Sequence, residues 1–173
     1  PTRGNQPPGA AAQELPHLES SVPDVAADPA GAFFTPAQLD ALRRLCDLLM
    51  PSVDGRPGAN EAHAAEFLNF LLSESPAERQ ELYRTGLDAL NTGSNKRYQK
   101  PFASVTTTEA DALLAPLRQP WQYNPPTDAL SCFLLAAKAD VRTATVNSRE
   151  YTAKVAAGSR RMGGVGLYWY SLD

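Results

Sequence analysis

The chain has 173 residues, with 16 Lys and Arg against 19 Asp and Glu and a formal charge of −3. That length suits one domain, an apolar fraction of 43% is enough for a core, and the slight acidic excess excludes the broad basic face that nucleic-acid binding needs. The longest apolar run, Cys132 to Ala137, falls far short of the roughly 18–20 residues that span a bilayer, so the chain is not expected to cross a membrane by itself.

Residues 1–32 form the first region. Pro1, Pro7, Pro8, Pro16, Pro23 and Pro29 lie among many Ala and Gly, and Leu15, Leu18, Val22 and Val25 follow no helical repeat. Such a segment buries too little to offset the ordering of its backbone. It reads as an extended arm that orders only on another surface. It contains no basic-then-apolar leader.

The remainder, residues 33–173, reads as one all-α domain of about five helices. Thr35-Pro36-Ala37-Gln38 combines an N-cap, a proline at the first helical position and the Gln of a capping box. Leu39, Leu42, Leu45, Cys46 and Leu49 then recur at spacings of three and four, which predicts an amphipathic helix stopped by Pro51. Residues 51–58 are turn chemistry throughout. A second helix is expected over 60–72 with Ala64, Phe67, Leu68 and Leu71 inward. A third opens at Ser75-Pro76-Ala77-Glu78, by the same capping logic, and runs to about Leu90 with Leu82, Gly86, Leu87 and Leu90 on one face. Residues 91–95 read as a loop. A fourth helix starts near Thr106–Thr108, with Glu109 and Asp111 favourable in its first turn, carries Leu113, Leu114 and Leu117, and stops by Pro120. The fifth, expected to be the longest, opens at Pro125-Pro126-Thr127-Asp128 and ends near Asn147, with Leu130, Phe133, Leu134, Ala137 and Val141 inward. After Ser148 the regularity fades into an irregular, glycine-rich tail ending in aromatics.

Few residues invite chemistry. His17 lies in the arm. His63, with Glu61 or Glu66, could offer two metal ligands on a helix, but a site needs three or four. This supports only a rival reading, a small metal-binding enzyme. The glycines near 163 follow no strand, so a dinucleotide loop fails on context. No catalytic residues, cofactor contacts or metal ligands are therefore assigned to this chain. Cys46 and Cys132 admit two readings, a pair of core thiols or one disulfide between the first and fifth helices. Trp121 and Tyr123 sit in a proline-bounded loop and Tyr168, Trp169 and Tyr170 near the end of the chain. Tyr and Trp are enriched at interfaces, so these five are the candidate partner contacts, with folding back onto the domain as the alternative.

The order of several short motifs resembles the gluconate 2-dehydrogenase subunit 3 family. Phe34-Thr35-Pro36-Ala37-Gln38-Leu39, with Leu42, Leu45 and Leu48-Leu49-Met50-Pro51, is similar to its opening helix. Asp54-Gly55, Pro57-Gly58-Ala59 and Glu61-Ala62 resemble its turn into the second helix, continued by Glu66-Phe67-Leu68 and Leu71-Leu72. Tyr83-Arg84, Gly86-Leu87 and Ala89-Leu90 resemble the third helix, and Lys100-Pro101-Phe102-Ala103 the next landmark. The likeness is good over about 33–118, looser at Ser148, Glu150 and Tyr151, and absent from 1–32. The resemblance implies a non-catalytic accessory subunit for a large glucose–methanol–choline type flavoprotein. That partner would hold FAD and oxidise a sugar, an aldonic acid or a glycoside, and a multihaem cytochrome c could accept the electrons. It also implies twin-arginine export to the periplasm as part of the complex, with processing before Pro1. Export of that kind favours the Cys46–Cys132 disulfide over two free thiols.

Overall fold

A computed structural model describes residues 33–119 and 126–161. The arm 1–32, the segment 120–125 and the tail 162–173 lie outside the described residues. Those described form six α-helices and two short 3-10 turns, with no strand. The all-α expectation holds, with one helix more than the periodicity announced.

Helix α1 (Pro36–Leu49) begins as its sequence predicts. The Thr35 hydroxyl accepts from Gln38 N–H, the Gln38 side chain accepts from Thr35 N–H, and Pro36 occupies the first turn. Ala41, Leu42, Leu45 and Cys46 are fully buried. The following loop contains a tight two-residue turn. Asp54 and Gly55 both have positive φ (52° and 71°), and Val53 pairs with Arg56 across them, the geometry for which Asp-Gly is favoured.

Helix α2 (Ala64–Ser73) starts later than expected because His63 has left-handed backbone angles (φ 51°, ψ 33°). A right-handed helix cannot pass through such a residue, so residues 60–63 remain turns. The buried face is Ala64, Ala65, Leu68 and Leu72. Phe67, expected inward, is half-exposed, as is Phe70. The helix has more large apolar residues than one face can hold.

Helix α3 (Ala77–Tyr98) is capped by Pro76 without a side-chain hydrogen bond. Ser75 instead donates its hydroxyl to Leu71 C=O at 2.8 Å. The helix runs straight through residues 91–95, which read as a loop, and so exceeds α5 in length. The polar residues there hold neighbouring segments. Asn91 donates to Ala37 C=O (3.3 Å) and accepts from Phe102 N–H (3.1 Å), and Ser94 donates to Lys100 C=O (2.7 Å). Gln99, with φ 58°, ends the helix.

A 3-10 turn, Phe102–Ser104, then drops Phe102 fully into the core against α1 and α3. Helix α4 (Thr107–Leu113) is short, with a complete capping box between Thr106 and Glu109. The chain beyond it tightens into a second 3-10 turn, Ala115–Arg118. Glu109 also meets the Lys100 ammonium at 2.7 Å. That contact, with the Thr106 backbone and hydroxyl, lowers the Glu109 carboxyl from 4.5 to about 2. A carboxyl with a depressed folded-state pKa stabilises the fold above its unfolded value, and the contribution fades as pH falls through the folded value. Wild-type thermal stability should therefore drop between about pH 4.5 and pH 2 by more than that of Glu109→Gln. Melting curves of the two across that window test this.

Helix α5 (Ala129–Val146) is capped by Asp128, which accepts from Ser131 N–H at 2.8 Å. Its inner face, Phe133, Leu134, Ala137 and Val141, is buried as expected, while Leu130 is only partly so. It packs chiefly on α3 and α2. The region after Ser148 is helix α6 (Arg149–Arg161), not irregular chain. The Ser148 hydroxyl caps it by accepting from Tyr151 N–H at 3.1 Å. With Tyr151 and Val155 as its main large apolar residues, its periodicity was too thin to read.

The expected disulfide is absent. Cys46 and Cys132 are both free and are not at bonding distance. Cys46 faces the core from the last part of α1, and burial pushes its thiol up to about 12. Cys132 sits in the first turn of α5, partly exposed, with Sγ 3.0 Å from Pro126 C=O. A thiol reagent should therefore label Cys132 in the native protein. Cys46 should react only after unfolding, because a buried thiol that stays protonated is a poor nucleophile. Counting modified thiols by mass before and after denaturant tests this.

Candidate functional site

Among the described residues a groove lies where the start of α2, the end of α5 and the start of α6 meet. It encloses a volume of about 350 Å³. Ala62, His63, Glu66 and Phe67 form one wall, Thr143, Ala144 and Asn147 another, and Ser148, Arg149 and Glu150 the third. Three local choices build it. The left-handed His63 turns the chain sharply into α2, which leaves its own side chain exposed at the mouth. Phe67 faces outward because Leu68 and Leu72 already fill the inner face. Ser148 restarts helix one residue after Asn147 ends α5.

The loop leading to His63 is tied back on itself by hydrogen bonds. The Glu61 carboxylate accepts from the Ser52 hydroxyl and from Gly58 N–H, the latter at 3.0 Å. The Ser52 contact, first, and its backbone partners hold the Glu61 carboxyl below its usual range. Gly58 must be glycine, since a Cβ there would lie 2.5 Å from Ser52 N. Ala59 N–H closes the loop on Met50 C=O at 2.7 Å.

These contacts bear on the metal-enzyme reading of His63. Glu61 is held by Ser52 and Gly58, and Glu66 meets Arg43 at 2.9 Å. Among the described residues no three His, Cys, Asp or Glu side chains gather as a donor set. The structure thus places His63 and Glu66 on one groove wall, turns Glu61 into the loop, and offers no third ligand to them.

The second polar cluster joins α3 to α5 around a buried phenol. Asp140 on α5 accepts from the Tyr83 hydroxyl at 2.5 Å and from Arg79 at 2.6 Å, both on α3. Tyr83 is fully buried and meets the Phe133 ring edge-to-face at 5.3 Å. Burial, then the Asp140 carboxylate, raise the Tyr83 phenol well above its ordinary value. The phenol therefore stays protonated and acts as a structural donor. Sequence periodicity could not reveal this cluster, because Tyr83 reads as a core aromatic and Asp140 as a surface acid.

The five aromatics proposed from sequence as partner contacts, Trp121, Tyr123, Tyr168, Trp169 and Tyr170, lie outside the described residues, as does His17. Among the described residues, no helix is long and apolar enough to cross a membrane.

No curated protein and no solved structure matches the chain. The family described as gluconate 2-dehydrogenase subunit 3 matches it over residues 36–162. The match opens on the first residue of α1 and closes one residue beyond α6. Every helix of the bundle falls within it, and the chain belongs to the gluconate 2-dehydrogenase subunit 3 family.

Proposed function

We propose that this chain is a non-catalytic small subunit that binds and stabilises an FAD-dependent dehydrogenase of the glucose–methanol–choline type. The observation that carries the reading is the family match from α1 through α6, since a subunit of an oxidoreductase implies a catalytic partner. The partner holds the FAD and oxidises a CH–OH group of a sugar, sugar acid or glycoside. A cytochrome c subunit is the proposed electron acceptor. The pair is exported together by the twin-arginine route to the periplasm. The arm 1–32 and the aromatics Trp121, Tyr123, Tyr168, Trp169 and Tyr170 are the proposed contacts outside the helical body. A proline-rich sequence suits this role because proline restricts the unbound backbone and so lowers the ordering cost of binding.

Co-expression with a candidate glucose–methanol–choline type flavoprotein from the same genome is the test. The expected result is a yellow complex containing both chains. Omitting this chain should lower the soluble, flavin-loaded yield of the large one. Two chains that purify separately, each stable and active or inactive alone, would reject the reading.

A further inference from the structure

Two phenylalanines on the outer face of α2 have no cover among the described residues. Phe67 and Phe70 are 50% and 49% exposed and stand three residues apart, on the side of the helix away from Ala64, Leu68 and Leu72. A single exposed apolar side chain is ordinary, but adjoining ones mark a contact surface. Phe67 also lines the groove between α2, α5 and α6, so the apolar strip continues into it. The chain that precedes α1 is fastened to this same helix. Phe34 is buried, and its N–H donates to the Asn69 side chain on α2 at 3.1 Å. Phe33 packs edge-to-face on Phe34 at 4.7 Å, with the Arg84 guanidinium 4.2 Å from its ring centre. These contacts fix the root of residues 1–32 at the flank of α2. Asn69 and Phe70 point about 100° apart, which is roughly 10 Å around a helix surface, so a few residues of chain can cross from one to the other.

We propose that residues 15–25 of this chain dock on the outer face of its own α2, covering Phe70, Phe67 and the groove beside Phe67. Leu15, Leu18, Val22 and Val25 are the large apolar side chains of residues 1–32, and all fall within this segment. Val25 lies nine residues before Phe34, a reach of about 28 Å at ~3.1 Å per residue of extended chain. Helix α2 has ten residues and is therefore about 15 Å long, so every point of the strip is within range. The fixed root sets the order, with Val25 and Val22 nearest Phe70 and Leu18 and Leu15 further on, at Phe67 and the groove. The tether holds the segment at a local concentration in the millimolar range, so modest apolar burial suffices to dock it. Pro16 and Pro23 restrict its unbound backbone and lower the cost of ordering it. The inference goes beyond the accessory-subunit reading, because the surface that orders this segment belongs to the same chain. Residues 1–14 and the outward side of the docked segment stay free for a catalytic partner.

The test is cleavage after Glu19 by a glutamate-specific protease, followed by mass in the full chain without a partner. A peptide of residues 12–28 gives the unprotected rate. The wild-type chain should be cut at least about 10-fold more slowly than the peptide, because cleavage follows the undocked population. Phe67→Asp with Phe70→Asp should restore the peptide rate, while circular dichroism shows unchanged helix content. Leu18→Asp with Val22→Asp, which leaves the helical body untouched, should restore it equally. All four substitutions together should be no faster than either pair, since both pairs break one contact. Cleavage of wild type at the peptide rate overturns the inference, as does protection that survives the α2 substitutions. Protection that rises with protein concentration would indicate the α2 face of a second copy and also overturns it. Protection seen only after the flavoprotein is added would place the segment on that partner, overturning the inference and leaving the accessory-subunit reading intact.

Discussion

Gly86→Ala should destabilise the isolated subunit by about 2–3 kcal/mol, even though alanine is the better helix former. Gly86 lies in the middle of α3, fully buried, where α3 crosses α5. A Cβ at this position would overlap the ring of Phe133. That ring is itself fully buried and held edge-to-face by Tyr83, so it cannot swing aside. Replacing glycine by alanine in a helix gains up to about 1 kcal/mol. Overpacking a close-packed core loses roughly 1–3 kcal/mol and sometimes more, and here the obstacle is a locked ring. Thermal melting should show a fall of roughly 5–10 °C for a chain of this size. Adding Phe133→Leu should recover part of the loss, because it removes the ring atoms in the way. A Gly86→Ala protein that melts higher than wild type would show that α3 and α5 can separate at no cost.

Asp140→Ala should be comparably damaging, by about 2–3 kcal/mol, for a different reason. Its carboxylate serves the Tyr83 hydroxyl and the Arg79 guanidinium together. Its loss strands a buried hydroxyl and removes the partner of a cation. Hydrogen bonds to charged groups are worth roughly 1.5–3 kcal/mol, and an orphaned buried donor costs about 1–3 kcal/mol. Arg79 remains half-exposed, so water replaces part of its loss and the ion pair adds little. The diagnostic comparison is Tyr83→Phe. Combined with Asp140→Ala it should be less destabilised than the sum of the two single variants, because the phenylalanine leaves no donor to strand. Urea titrations of the four proteins measure the coupling. Strict additivity would mean that the contact contributes nothing.

Legibility in the sequence followed how local each cause was. The Thr35–Gln38 cap and the α1 stripe were fully readable, because every partner lies within one or two turns. So was the inner face of α5. The α2 boundary was not readable. It depends on the left-handed turn at His63, a residue type only modestly enriched at positive φ, and on Glu61 reaching back to Ser52 and Gly58. Phe67 was placed inward by its spacing alone, yet several apolar residues competed for one face. The loop reading at 91–95 failed because Asn, Gly and Ser are turn residues by propensity. Their helical state depends on segments around residues 37 and 100–102, which no short window contains. The cysteine pairing failed similarly. Two cysteines on two helices permit a bridge, but only the placement and rotation of each helix decide whether the thiols meet. The groove was beyond sequence reasoning altogether, since its three walls come from residues 62–67, 143–147 and 148–150.

The way α3 is held over its last two turns has a consequence for how the fold opens. Ser94 and Asn91 bind the backbone of Lys100 and Phe102, while Asn91 also reaches Ala37 at the start of α1. Phe102 is sunk in the core. This end of α3 therefore cannot fray as helix ends usually do. To release residues 91–98, the chain must also lift Phe102 out of the core and loosen the first turn of α1. Amide protons over 91–98 should exchange at one shared slow rate with those of residues 102–105, as a single cooperative unit. A helix end rich in polar residues would thus open among the last.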